Sequence, residues 1–255
     1  MSATVATHHA GSFEGIRIIA ARELGAYFDS SIAYVYTIAF VILANSIFMN
    51  EFFLTGTVDM TAFFDLMPLL MVLFIPAVTM RLWAEEKKTR TIELLLTLPI
   101  RTGQAVMGKY LAALGLFGLF LVGSLPIPIM LMVLGSPDLG LIISGYIGLI
   151  LLGGMFLAFG MFLSAISGDQ IVAFVLSAIV GFAFVLSGQE QVVAVLDGLI
   201  PALSLGTVLY ENFSVMPRYD SFVRGVIDIG SLTYFVLFIG LFLWLNVQLL
   251  ERQRT

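Results

Sequence analysis

"RLWAEEKKTRTIELLLTLPIRTGQAVMGKY", residues 81–110, sets the frame for the whole chain. It gathers six of the twelve Lys and Arg residues between two long apolar runs. Outward from it the chain is 60% hydrophobic and only 11% charged. A soluble domain carries roughly a quarter charged residues. Several uncharged runs approach or exceed the ~20 residues that cross a bilayer as helix. The composition predicts an all-α integral membrane protein built as a single domain over residues 1–255. The absence of cysteine excludes disulfides, thiolate metal sites and thiol catalysis.

Charges punctuate the apolar runs. Six spans are expected, at residues 30–50, 62–80, 110–134, 139–167, 170–187 and 229–250. Pro68 and Pro76 should bend the second, and Pro126 and Pro128 fall in the outer half of the third. With both termini inside, ten Lys and Arg residues lie in the cytoplasm, and only Arg218 and Arg224 lie outside. A seven-span alternative would expose "ERQRT" and weaken that bias.

Residues 13–28, "FEGIRIIAARELGAYF", place Phe13, Ile16, Ala20, Leu24 and Tyr27 at helical spacing, with Glu14, Arg17 and Arg22 off that stripe. This predicts an amphipathic helix at the inner membrane surface, or one packed on neighbouring spans. The preceding segment lacks the basic-then-apolar order of a cleavable signal peptide. His8 and His9 are the only histidines, too few ligands for a metal site, and read as part of a loose cytoplasmic tail.

Between the fifth and sixth spans, residues 198–210 ("GLIPALSLGTVLY") are apolar but too short to cross. They predict a re-entrant or interfacial piece within an outer segment, 189–224, broken at Pro201. In the fourth span Gly145, Gly148, Gly153, Gly154, Ala158 and Gly160 allow close helix approach, for internal packing or a dimer seam alike. Asp169 is placed to cap the fifth helix. Asp65 and Asp228 sit near span ends, so no chain of buried acids suggests a proton relay.

"GQAVMGKY", 103–110, fits a phosphate-loop pattern up to its last residue, where Tyr110 replaces the Ser or Thr that holds magnesium. It also enters a membrane span instead of following a buried strand. Gly103 and Gly108 are expected to ease the turn into that span, with Lys109 reaching back to the headgroups.

Residues 81–109 form the one sizeable cytoplasmic loop. "TIELLLTL", 91–98, has helix formers, is ended by Pro99, and puts Ile92, Leu95 and Leu96 on one face behind the charged "EEKKTR". Charge alone leaves two readings open: topology and solvation, or docking into a groove on another protein. The pattern "RLWAEEKKTRTIELLLTLPI" resembles the signature of ABC-2-type transporter permeases, in particular the gliding-motility-type (GldF-like) branch. Ala84, Glu85, Glu86, Lys87, Thr91, Ile92, Glu93, Leu95, Leu96 and Pro99 carry the match. Arg90 stands where that family usually has Gly. The likeness extends over the amphipathic start, the six spans, this loop and the outer hydrophobic segment.

The resemblance implies a permease subunit of an ATP-driven exporter in the cell inner membrane. Residues 85–99 would form a coupling helix seated on a separate ABC ATPase. Glu85, Glu86, Thr91 and Glu93 would meet polar groups there, while Ile92, Leu95 and Leu96 supply an apolar anchor. Two ATPase copies and a second permease copy or paralogue would complete the unit, with room for a periplasmic or membrane accessory protein. ATP and Mg²⁺ belong to the ATPase, and this chain itself is expected to bind no cofactor, metal or nucleic acid and to carry no catalytic residue. The outer segment, with Pro201, Leu203 and Tyr210, would act as a gate. A membrane anchor that transmits ATPase work without moving solute shares the same loop. A secondary transporter finds less support. The substrate is not legible.

Overall fold

The structure, a computed structural model, describes residues 12–92, 101–199, 205–212 and 214–254. Every regular element among them is an α-helix: α1 (Ser12–Phe28), α2 (Ser31–Thr55), α3 (Thr61–Thr79), α4 (Arg81–Lys88), α5 (Thr102–Ser124), α6 (Pro126–Leu134), α7 (Leu139–Ile166), α8 (Gln170–Leu186), α9 (Glu190–Leu199), α10 (Leu205–Asn212), α11 (Met216–Val223) and α12 (Ile229–Arg254). Among the described residues five helical stretches are long and apolar enough to cross a membrane: Ser31–Thr55, Thr61–Lys88, Thr102–Leu134, Leu139–Ile166 and Ile229–Gln253. The chain is an all-α, membrane-embedded type of protein. The expected fifth span, α8, has 17 residues and turns by 85° into α9. It starts at Asp169, which pairs with Lys88, and its far end at Gly188 lies against Met216. It is shorter than the five stretches named above.

Of the span boundaries that differ from the expected ones, two have a cap as their local cause. The first membrane helix continues past Glu51 to Thr55, where Gly56 adopts φ 66° and donates its N–H to the Phe52 carbonyl. A lone charge near a membrane boundary does not stop a helix; a left-handed cap does. The third begins at Thr102, not 110, because the Gln104 side chain accepts the Arg101 N–H at 3.0 Å and caps the start. Lys109 does not end the apolar run either, since its charge is compensated inside the protein (below).

In lipid the backbone must satisfy itself. Pro68, inside α3, has no N–H for the Phe64 carbonyl one turn earlier. The fully buried Tyr219 hydroxyl donates to that carbonyl at 2.9 Å. Ser144 Oγ likewise donates to the Phe222 carbonyl at 2.8 Å, so α11 is fastened to α3 and α7 at the far end of the bundle. At α12, Asp228 accepts the Ser231 N–H at 2.8 Å, an N-cap that holds its carboxyl below the usual range.

The small residues of α7 serve internal packing. A Cβ at Gly145 would meet the Phe64 ring, one at Gly153 the Phe117 ring and one at Gly160 the Thr79 side chain, each within 2.5 Å. Rings then lace the helices together: Phe40 stacks on Phe120 at 4.9 Å and meets Phe74 edge-on at 5.4 Å, and Phe184 of α8 meets Phe238 of α12 edge-on at 5.5 Å. Such contacts replace the hydrophobic drive that lipid tails cannot supply.

Helix α1 lies along α5. A Cβ at Gly108 would come within 2.7 Å of Ile19, so this glycine permits the helix crossing instead of easing a turn. Ile19 is the buried centre of the packed face; Phe13, expected on it, is 89% exposed, as Ile18 and Phe28 are in smaller measure. Of the two uses left open for this helix, packing on the spans is realised, and an apolar outer surface remains.

Candidate functional site at the loop end of the bundle

The charged segment does not begin a loop helix at Glu85. "RLWAEEKK" prolongs the second membrane helix as α4, a stem fastened to α7. Ser164 Oγ, buried on α7, accepts the N–H groups of Trp83 and Ala84 at 3.2 and 3.1 Å and donates to the Met80 carbonyl at 3.0 Å. Lys87 Nζ donates to the Ala165 carbonyl, and Lys88 pairs with Asp169 at 3.2 Å. The Ile171 N–H and Lys88 together hold the exposed Asp169 carboxyl below its usual range. Asp169 also caps α8 as expected, accepting the Ile171 N–H at 2.8 Å.

Helix α4 ends in a left-handed cap. Thr91 N–H donates to the Glu86 carbonyl at 2.9 Å and Arg90 N–H to the Lys87 carbonyl at 3.2 Å. Arg90 itself has φ 57°, the only non-glycine with positive φ among the described residues. This bonding pattern is a Schellman-type closure, whose left-handed position normally falls to glycine. Arg90 thus adopts the turn that a glycine would make. Lacking a glycine's freedom, it bears a steric cost of about 1–2 kcal/mol.

The expected site residues separate at this point. Glu85 points along the stem to Arg81 at 2.8 Å, and Thr91 is exposed at its tip. Ile92 is half-buried and packs back on the bundle core. Glu86 turns inward. Its Oε1 lies 2.9 Å from Lys109 Nζ and 3.8 Å from Arg22. Lys109 is therefore no headgroup-seeking side chain: it is buried, 3.1 Å from Glu23 on α1, with its ammonium 5.0 Å from the centre of the Trp83 ring. Burial works against the charge on Glu23, but Lys109 and Arg22 outweigh it and hold the carboxyl below its usual range. Trp83 Nε1 and Glu86 Oε2 are buried with no hydrogen-bond partner among the described residues. Glu93, Leu95, Leu96 and Pro99 lie outside the described residues.

"GQAVMGKY" is helical throughout and forms the first turns of α5. No loop of backbone N–H groups wraps a phosphate there, and the lysine is engaged by two carboxylates. Among the described residues no group of three or more His, Asp or Glu side chains could hold a metal ion.

At the opposite end, α9 and α10 flank the stretch holding Pro201 and Leu203, both outside the described residues. Asp197, near the end of α9, caps α10 remotely. Its carboxylate accepts the Gly206 and Thr207 N–H groups at 2.6 and 3.2 Å and the Thr207 hydroxyl at 2.7 Å. A Cβ at Gly206 would fall 2.3 Å from the Val193 carbonyl oxygen, so only glycine permits this crossing. Tyr210 is half-buried and lines a shallow groove of about 330 Å³ with Glu190, Val193 and Ala194.

Glu23, Trp83, Lys109 and Ser164 were not legible as site residues. Each is an ordinary residue at its own position in the chain. Lys109 stands out only once the helix is seen to start at Thr102, which puts it seven residues, roughly 10 Å, along that helix. In comparisons with known proteins the sequence matches no family model and no curated protein.

Proposed function

We propose that the chain is the transmembrane subunit of an ABC-2-type exporter, driven by a separate ATPase that docks on the charged segment after the second membrane helix. One observation carries the reading. The segment sits at the tip of a stem that prolongs a membrane helix and is fastened to α7, so a push at the tip loads the membrane bundle directly. A loop serving topology alone has no need of that attachment. The resemblance of 81–100 to the permease signature supports the same reading. So does the left-handed turn at Arg90, where a glycine is usual in that family.

On this reading six segments cross the inner membrane, α8 being the shortest, and both termini and the stem tip face the cytoplasm. The ten-to-two split of Lys and Arg supports that orientation. Thr91 offers an exposed hydroxyl to the ATPase and Glu85 a half-buried carboxylate that Arg81 also holds; Glu93, Leu95 and Leu96 complete the docking surface. Glu86 holds the stem in place from within. The α9–α10 hairpin forms the outer gate.

Affinity purification of the parent from its own cells in mild detergent is expected to recover an ABC ATPase. Glu85→Arg combined with Thr91→Arg, and separately Glu93→Arg and Leu95→Asp, should reduce that recovery while leaving membrane insertion intact. Full recovery with all three variants would leave the loop as a topology signal only. Solute flux in reconstituted vesicles separates an exporter from an anchor that only transmits force.

A further inference from the structure

Two rigid pairs meet at the loop end. Helix α1 lies tightly on α5, with Gly108 under Ile19, and the stem α4 is bonded to α7 through Ser164. Here the α1 side is tied to the stem side by Tyr27 Oη to the Val78 carbonyl of α3 at 3.4 Å, by Arg81 to Ser30 Oγ just after α1 at 3.2 Å, and by the ion cluster around Lys109. The first two ties are single long hydrogen bonds. The third is charged, buried and shared by three helices. Further along, α5 meets α7 directly, with Phe117 on Gly153 and the Tyr110 hydroxyl on the Gly154 carbonyl at 3.2 Å.

Stability does not explain that cluster. An apolar side chain of similar volume in place of a buried ion pair is often neutral or stabilising, whereas register and switch roles are the best-attested uses of such pairs. The cluster also has spare pairing capacity. Glu86 has Lys109 at 2.9 Å and a second cation, the half-exposed Arg22, at 3.8 Å. Its other oxygen and Trp83 Nε1, one turn away on the same helix, are unused among the described residues. A carboxylate with two cations in reach can shift from one to the other as its helix moves.

We infer that Lys109 is the positioning residue through which displacement of the stem α4 reaches the α1–α5 pair: it holds Glu86 of the stem and Glu23 of α1 on one ammonium. The N-terminal helix is then part of the coupling element and not merely a surface anchor. This rests on the coupling role proposed for the stem, but the tie itself can be measured without any partner.

The test uses the full-length chain in lipid nanodiscs, with spin labels on Phe13→Cys and Thr91→Cys, both exposed positions in a chain free of cysteine. The parent is expected to show one narrow distance distribution between α1 and the stem tip. Lys109→Met should broaden it and raise amide exchange in both α1 and Thr89–Thr91 by about tenfold or more, with α7 unchanged. The exchanged pair Lys109→Glu with Glu86→Lys should narrow the distribution again, which a role in packing alone would not predict. If Lys109→Met fails to fold, Lys109→Met with Glu23→Gln and Glu86→Gln removes the charges and leaves only the half-exposed Arg22 without its carboxylates, and the broadening is expected there too. A distribution unchanged by removal of Lys109, or no recovery on charge exchange, overturns the proposal. A parent that shows this behaviour yet recovers no ATPase retains the tie and loses the transporter reading.

Discussion

Arg90 and Tyr219 each answer a backbone demand made elsewhere. The closure of α4 requires a left-handed residue, and the chain supplies arginine at φ 57°. Arg90→Gly should raise stability by about 0.5–1 kcal/mol, the relief of strain being partly offset by the entropy that glycine adds to the unfolded chain. Arg90→Val, β-branched at the same φ, should lower it. Thermal unfolding in detergent compares the three, and a loss of stability in the glycine variant would contradict the strained turn. Tyr219 is fully buried and answers the carbonyl that Pro68 leaves open. Tyr219→Phe keeps the ring and strands the Phe64 oxygen, at an expected cost of about 1–3 kcal/mol. Tyr219→Phe combined with Pro68→Ala restores the missing N–H donor and should recover much of that loss. Equal stability of parent and single variant would show that the bond is dispensable.

In the α9–α10 hairpin one side chain, Asp197, ties the two helices together. A carboxylate near the C-terminal end of α9 is unfavourable toward that helix, and capping the N-terminus of α10 offsets this. The Thr207 hydroxyl, then the Thr207 and Gly206 N–H groups, hold the Asp197 carboxyl below its usual range. A depressed acid contributes its stabilisation fully above the unfolded value of about 3.9 and loses it as pH falls through the lower folded value. The hairpin should therefore stay closed at neutral pH and loosen only in strong acid. A spin label at Val208→Cys reports this as mobility. Asp197→Ala should be mobile at every pH, and Gly206→Ala should open the hairpin at neutral pH, because the Val193 backbone cannot retreat from a new Cβ. A label equally immobile in the parent and in Asp197→Ala would show that the cap does not hold the hairpin.

At the scale of the molecule the question is how many times the chain crosses. Single cysteines at Phe13, Thr91 and Glu251 should react with an impermeant reagent from one face of the membrane, and cysteines at Val195 and Val226 from the other. All five positions are exposed, whereas Thr102 is buried and unsuited to labelling. The decisive pair is Thr91 and Val195, which bracket α8. Reaction from the same face would remove α8 as a crossing and leave the five long helices.

The membrane class, the all-helical fold and the place of the charged segment were legible in the sequence because hydropathy and charge are local sums over twenty or so residues. The cap at Asp169 was legible too, because capping acts within one turn. The partners of Lys109 were not. Pattern alone placed it at the headgroups, since a lysine at the edge of an apolar run looks the same whether it faces water or two carboxylates. Glu23 lies 86 positions before Lys109, Glu86 lies 23 before it, and no periodicity links them. The glycines of α7 signalled close contact, but only the arrangement of Phe64, Phe117 and Thr79 against them assigned that contact to the chain's own interior. What the sequence determined by itself is which segments leave water and where charge must stay. The tertiary structure decided which charges are turned inward to meet each other, because electrostatic pairing depends on distance in space and not along the chain.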